Sequence, residues 1–582
     1  MGGLVRRNEV WFIALAASVG AIAGLCVAAL LHITNLLHLL FFGRAKLSAL
    51  AALSSPFLAL IPLAGGLVLG ISGIFVRRWF PKRPVDPIEA NALHGGRMSV
   101  RESMLIAVQT VISSGFGASV GLEAAYTQMG SGLASWLGIL LHLRRSDMRM
   151  LVACGSAGAI SGAFGAPMTG AFYAFELILG TYTPFGLAPV GAAAVSGYFV
   201  AKALGAGGGF MNQIPISAAL LPADFALLLL LGIICALFGV LMMSAVTSLE
   251  QLCARIPLPR AMIPATGGLV TGLLALITPQ VLSSGHGALF ELFSRAPGPS
   301  DVVLITLILK AFASVVSLGT GFRGGLFFAS LFLGGMTGEV FFFAVDYVDA
   351  RLAPDLYVCA LTGMAALAVA IIGAPLAMSF LALETTGNFP LALVMLAVAS
   401  IVSVIVRRIF GYSFATWRLH VRGESIRSAQ DVGWMRELTV GRLMRTDMPK
   451  AWQGMSLSEF VEAFPAQSSN QWVAVTGKED HYAGIVFVPD AHLAAVENGA
   501  ETALLGQLAK FPDQFLLPSM DIEAAVQTFE QTEAEALAAV DNEKDRRVIG
   551  LLTEAHVLRR YTDELAKAHS DLLGENWFDR RR

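Results

Sequence analysis

The chain has 582 residues, of which 55% are apolar and only 14% charged. Soluble domains carry about 25% charged residues, so this balance excludes an ordinary soluble enzyme and indicates a polytopic membrane protein. A formal net charge of −2 supplies no basic footprint for a nucleic-acid partner.

The 59 glycines fit helices packed closely in lipid. Five cysteines (Cys26, Cys154, Cys235, Cys253, Cys359) are scattered without metal or redox spacing and are expected to be small buried hydrophobes. No metal site is expected. After Arg6 and Arg7 the first apolar stretch is too long for the core of a signal peptide, so no cleaved leader is expected.

Apolar stretches are predicted at about 10–40, 58–76, 104–120, 126–141, 151–179, 186–203, 225–246, 261–278, 302–318, 326–345, 356–383 and 391–406. Several are shorter than the ~20 residues a span needs, and several are broken by glycine or proline. Short, interrupted segments mark discontinuous helices that line a site near the bilayer midplane. Basic clusters at 77–83, 144–149 and 407–408 favour a cytoplasmic N-terminus and tail.

The segment Gly117-Ala-Ser-Val-Gly-Leu-Glu-Ala-Ala-Tyr126 places one carboxylate, Glu123, among small and apolar residues. A carboxylate within a membrane is costly, so Glu123 is a functional candidate by default. The glycines before it and the run after it predict a helix that starts here. A helix start offers free amide groups and a partial positive charge, a place for an anion or for the carboxylate itself.

An internal repeat follows. Gly165-Ala-Pro-Met-Thr-Gly-Ala-Phe-Tyr-Ala-Phe-Glu176 matches Gly373-Ala-Pro-Leu-Ala-Met-Ser-Phe-Leu-Ala-Leu-Glu384, 208 residues later. Gly121-Leu122 with Gly130 matches Gly325-Leu326 with Gly334, 204 residues later. Two homologous halves are therefore expected, about 10–205 and 222–410, with a binding site where their half-helix starts converge. Glu123 is paired by the repeat with Leu326 and Phe327. Glu176 and Glu384 occupy equivalent positions and are expected first as hydrogen-bonded buried carboxylates, with a pathway role for Glu176 as the sharper reading. Lys310 is expected to be paired or to snorkel. Arg323 could concentrate anions at a pore mouth.

After Arg422 the charge rises and the apolar runs shorten. Strands are predicted at 471–476 and 483–488, then a helix at 522–530, strands at 536–541 and 548–552, and a helix at 554–565. Ser456-Leu-Ser-Glu459 is a capping-box signature. This predicts a soluble α/β module in two copies, about 440–495 and 505–570.

Two motifs are set aside. Gly319-Thr-Gly-Phe-Arg-Gly324 fits a dinucleotide fingerprint but lacks a preceding strand. Gly117-Ala-Ser-Val-Gly121 fits a nucleophile elbow, which keeps an intramembrane serine hydrolase as a remote alternative. That reading needs a histidine beside Ser119, and His94, His142 and His286 lie near segment ends or loops.

With these motifs and their order, residues 10–425 resemble the CLC chloride channel/transporter family, and the tail resembles a pair of CBS domains. The resemblance implies an all-α polytopic membrane domain with an inverted-topology repeat (1–425), a linker (426–439) and a cytosolic CBS pair (440–582). It implies a homodimer in the lipid of the cell (plasma or inner) membrane, carrying chloride or another small anion, with no required cofactor. The family's first anion-site stretch falls on Arg83-Pro84-Val85-Asp86-Pro87, with Pro84 at the serine place and Val85 beside it. Family members with proline there can favour nitrate. The second falls on Gly121-Leu122-Glu123, where Glu123 is the implied gate. The third falls on Gly325-Leu326-Phe327-Phe328-Ala329, whose Leu326 and Phe327 amides would face the anion. The fourth is a tyrosine, for which the alignment offers Phe414, or Tyr412 after a small shift. Proton-coupled members carry an inner glutamate one place after the Glu176 position, where this chain has Leu177. Leucine cannot relay a proton. The implied function is thus a gated anion channel, with a proton-coupled chloride or nitrate antiporter as the alternative. In the tail, His556 stands where nucleotide-binding CBS copies place an aspartate, so an adenine nucleotide is in doubt.

Overall fold

A computed structural model describes residues 9–45, 47–50, 53, 55–79, 84–206, 222–294, 298–411, 413, 416–417, 439–466, 471–498, 503–560 and 562–563. The chain divides into two compact units, Met1–Asp431 and Val432–Arg582. Tyr412, Phe414 and most of the expected linker lie outside the described residues.

The first unit is helical and repeats itself. Its first half runs α1 (Glu9–Phe42), α2 (Ile61–Trp79), α3 (Pro87–Leu93), α4 (Val100–Gly115), α5 (Glu123–Leu140), α6 (Arg145–Phe164), α7 (Pro167–Tyr173, continued by a π-helical turn, Ala174–Leu179) and α8 (Pro184–Ala203). The second half runs α9 (Pro222–Arg255), α10 (Ile263–Ala275), α11 (His286–Ser294), α12 (Ser300–Gly319), α13 (Phe327–Val348), α14 (Leu356–Ile372), α15 (Pro375–Thr386) and α16 (Phe389–Ile409). Among the described residues each half thus shows eight α-helices in the same order, and the leading helices α1 and α9 are both 34 residues long. Among the described residues, seven helices are long and apolar enough to cross a membrane. Others are not: α10 has 13 residues, about 20 Å at 1.5 Å per residue, against a hydrocarbon core of ~30 Å.

Two predicted stretches, 151–179 and 356–383, are not single helices. Each is cut by a glycine in the left-handed region, Gly165 (φ 69°) and Gly373 (φ 85°). An alanine and a proline follow, and the proline opens the next helix. A glycine past a helix end and a proline at a helix start are the usual stop and start signals, and hydropathy does not register them. Short α3 and α11 also escaped the apolar pattern, because Glu89, Asn91, His286 and Glu291 interrupt it.

Glycine sets the packing. A Cβ on Gly130 would strike the carbonyl of Gly155, and one on Gly155 that of Gly130. The second half repeats this with Gly334 and Gly363. Helices α5 and α6, like α13 and α14, therefore approach backbone to backbone, the close contact that small residues permit in lipid.

The starts of α7 and α15 have alanine caps that supply no side-chain acceptor. Each is completed from the opposite half. Glu384 accepts from the amides of Met168 (2.7 Å) and Thr169 (2.9 Å) and from the Thr169 hydroxyl (2.7 Å). Glu176 accepts from the amides of Leu376 and Ala377, both at 2.9 Å. The exchange between the halves is reciprocal. Lys310 is fully buried and does not snorkel; its Nζ donates to the carbonyls of Ser283 (2.7 Å) and Val281 (3.2 Å).

The second unit holds a three-stranded sheet of β1 (Lys450–Trp452), β2 (Trp472–Thr476) and β3 (Tyr482–Phe487), and a hairpin of β4 (Ala536–Val540) and β5 (Val548–Thr553). Strand β1 is parallel to β2, while β2/β3 and β4/β5 are antiparallel. Helices α17 (Leu457–Ala463) and α18 (Val488–Asn498) flank the first strand pair, and α19 (Ile522–Thr532) precedes the second. The expected capping box is present: Ser456 Oγ accepts from the Glu459 amide and Glu459 from that of Ser456. The strands predicted at 471–476, 483–488, 536–541 and 548–552 are observed as β2 to β5 within a residue or two, while β1 lies outside the predicted strands.

Glu384→Ala leaves two amides at the start of α7 without their acceptor. Loss of a charged hydrogen-bond partner costs on the order of 1–3 kcal/mol. Thermal unfolding in detergent should show a lower midpoint, and an unchanged midpoint would refute the cross-half cap.

Candidate functional site

The starts of α5 and α13 meet at the centre of the first unit. Gly121 and Gly325 form an isolated antiparallel bridge, with Gly121 N–H donating to Gly325 O (2.9 Å) and Gly325 N–H to Gly121 O (3.2 Å). Helix α5 begins at Glu123 after Leu122, and α13 at Phe327 after Leu326; neither start has a side-chain cap. Both helices thus present first-turn amides with no local acceptor.

Glu123 supplies the acceptor for one of them. Its Oε1 accepts from the Phe328 amide at 3.1 Å, so a carboxylate of the first half caps a helix of the second. Glu123 is buried, and its Oε2 has no hydrogen-bond partner among the described residues. The seat is shaped for it by glycine: a Cβ on Gly121 would overlap both carboxylate oxygens, and one on Gly325 would come within 3.1 Å of Oε2. Among the described residues there is no reciprocal cap, because Phe327 stands at the repeat position of Glu123.

Aromatic rings fix the start of α13. Phe164 stacks on Phe328 (4.4 Å between centroids, 5° between planes) and lies against Phe327 at 4.5 Å. The Tyr173 ring lies 6.1 Å from that of Phe327, centroid to centroid.

A cavity of about 240 Å³ opens beside this junction. Pro84, Arg323, Leu326, Phe327 and Leu177 line it together with Glu123, so most of the residues singled out from the sequence converge. Arg323 is exposed, and its amide donates to Ser113 Oγ at 2.9 Å. Val85 instead turns its carbonyl to Gln128 Nε2 (2.8 Å) and is absent from the lining. Glu176 also lies outside the lining, engaged with the start of α15.

The wall contains residues that the motifs did not single out: Asp86, Thr110, Thr127, Gln128 and Tyr173. Asp86 caps α3, its Oδ1 accepting from the Glu89 amide at 2.8 Å. Asp86 was legible, since it sits inside the quoted Arg83–Pro87 stretch, but attention fell there on the serine place. Gln128 and Tyr173 lie five residues after Glu123 and three before Glu176, on helices whose facing directions the sequence leaves open.

Ser119 has serine neighbours. Its Oγ pairs with Ser314 Oγ (3.0 Å) and its amide donates to Ser317 Oγ (3.0 Å). His286 pairs with Ser284 through Nδ1 (2.5 Å). This is a buried hydroxyl network and lacks the serine–base geometry of a hydrolase. Among the described residues, no group of His, Cys, Asp and Glu is arranged to hold a metal ion.

The family model described as "Voltage gated chloride channel" matches residues 65–408. A ClcB-like chloride channel protein of Ralstonia nicotianae is 30% identical over 339 residues, covering 57% of this chain and 79% of its own. A slow cyanobacterial Cl−/H+ antiporter has a similar structure, with TM-score 0.62, 19% identity, and coverage of 71% of this chain and 97% of its own. A eukaryotic CLC transporter has TM-score 0.59 at 15% identity and covers 95% of this chain and 98% of its own. At these identities the two structures speak for the fold alone.

Glu123→Ala removes the carboxylate and leaves its seat and the helix-start amides open. With the carboxylate gone, chloride should bind at least threefold tighter to the detergent-solubilised protein in calorimetric titration at neutral pH. Equal affinities in the variant and the parent protein would refute competition for this seat.

Proposed function

The chain belongs to the voltage-gated chloride channel family, and on that premise we propose that it exchanges a small anion, chloride by default, for protons across the cell membrane, with Glu123 as the gate. The observation that carries this reading is the Glu123 seat. One carboxylate occupies the junction of two helix starts whose amides suit an anion. The carboxylate and the anion compete for the same amides. Protonation weakens the hold of the seat on Glu123, lets the side chain leave, and admits the anion. Proton binding and anion passage thus act on one group, which is the physical requirement for coupling them.

The solved structure described as a Cl−/H+ antiporter shares this fold, which supports exchange over free conduction. One observation favours the second reading, a gated anion channel: Leu177, at the family's inner-glutamate place, is an apolar part of the cavity wall. Arg323 at the wall would draw anions in by its charge. The anion amides are those of Leu326 and Phe327, with the tyrosine role falling to Phe414 or Tyr412. Pro84 offers no hydroxyl, which leaves nitrate as an alternative cargo.

The tail is proposed as a cytoplasmic CBS pair. Its support is the repeated strand–strand–helix pattern and a CLC transporter likeness that covers 95% of this chain. Its role would be structural or modulatory within a homodimer, without an adenine nucleotide, since His556 replaces the aspartate. No cofactor is required by the transport step.

Two measurements test these readings. In liposomes followed with proton and chloride electrodes, the parent protein should move protons against their gradient when chloride runs down its own. Glu123→Gln should abolish that movement and make chloride flux independent of pH. A parent protein that carries chloride without protons would replace exchange by the channel reading; unchanged pH dependence in the variant would remove Glu123 as gate. For the tail, ATP or AMP should leave the melting temperature unmoved, and a shift of several degrees would establish a nucleotide site.

A further inference from the structure

The exchange reading leaves one gap. Protons must reach Glu123 from the cytoplasmic side, and Leu177 cannot carry them. The cavity wall holds a second carboxylate, Asp86. Its position along the path follows from chain order. Helices α1 and α2 are consecutive spanning candidates, so α3 starts on the side of the N-terminus. The basic cluster at 77–83 marks that side as cytoplasmic. Asp86 therefore lies between the cytoplasm and Glu123.

We propose that Asp86 is the inner proton-carrying residue of this protein, passing protons through the shared cavity to Glu123. This rests on the exchange reading of the same site. Two observations point to it beyond the presence of two acids. One cavity of about 240 Å³ is lined by both carboxylates, and it has room for several waters at the ~10–15 Å³ each requires. Glu123 lines that cavity, is 4% exposed, and keeps Oε2 buried without a hydrogen-bond partner among the described residues.

Tyr173 lines the same wall as both carboxylates. Its hydroxyl can donate to one group while accepting from another, and so can bridge. Of the other charged groups around Asp86, Arg323 shares the wall, and Glu89 turns toward His94 (3.9 Å). Helix α6 brings Arg149, whose carbonyl accepts from Asn91. Glu176 on the π-helical turn is held by α15.

The step balances without a further reactant. Protonated Asp86 releases its proton to a water or to the Tyr173 hydroxyl. That bridge delivers a different proton to Glu123, whose carboxylate becomes the neutral acid. Asp86, now a carboxylate, takes its next proton from the cytoplasmic solution.

Asp86→Asn tests this cleanly, because asparagine caps a helix as well as aspartate does but binds no proton in this range. The full-length protein is reconstituted with proton and chloride electrodes. Protons moved per chloride should fall at least tenfold in Asp86→Asn, and Asp86→Glu should keep the parent ratio. An Asp86→Asn protein with the parent ratio overturns the assignment while leaving exchange intact. A parent protein that moves no protons overturns the exchange reading, and the Asp86 assignment falls with it.

Discussion

A helix that starts inside a membrane leaves amide groups that neither water nor lipid can satisfy, and this constraint organises the whole first unit. Three glutamates meet it, each across the boundary between the halves. Glu384 caps α7, Glu176 caps α15, and Glu123 caps α13. The first two are a matched pair at equivalent repeat positions. Removing either would strand helix-start donors, so both are held in place by the cost of leaving. Glu123 has no counterpart, since its repeat position is Phe327. It makes one hydrogen bond to the start it caps and leaves one oxygen unpartnered. Of three chemically identical caps, the unreciprocated one is the easiest to move.

On the proposed reading, this asymmetry is what lets a single carboxylate serve as a gate. The amides at the junction require one negative group at a time, and an anion satisfies them as well as a carboxylate does. Replacing one by the other leaves the local charge almost unchanged, so the junction need not pass through a state with exposed donors. The glycines permit it: Gly121 and Gly325 let the two backbones join directly and leave space for the carboxylate between them. The Phe164, Phe328 and Tyr173 rings hold the start of α13 still while the occupant changes.

Much of this was legible in the sequence. Glu123 stood out because no other charge lies near it, and the repeat located its partner surface at residues 326 and 327. The break of α6 from α7 was written as Gly-Ala-Pro, but a hydropathy reading runs through it. The equal roles of Glu176 and Glu384 followed from equal positions, although which helix each would cap did not. Gln128 and Tyr173 were hidden for another reason. Their place in the cavity depends on how α5 and α7 turn against their neighbours, and helices that are buried on most sides carry no amphipathic stripe to reveal a facing direction.

The starts at the site and at the seam between the halves differ from several others in their caps. Ser99 caps α4 locally, as Thr183 does α8, Asp355 α14 and Asn388 α16, and in the tail Ser456 and Asp521 do the same. At α5, α7, α13 and α15 the N-cap is leucine or alanine, and no side-chain bond is made from it. A serine or aspartate there would complete the helix by itself and remove any need for a distant carboxylate. At α7 and α15 the apolar cap commits each half to hold the other. At α5 and α13 it keeps first-turn amides available to whichever negative group arrives, which is the condition for a site that must be filled, emptied and filled again.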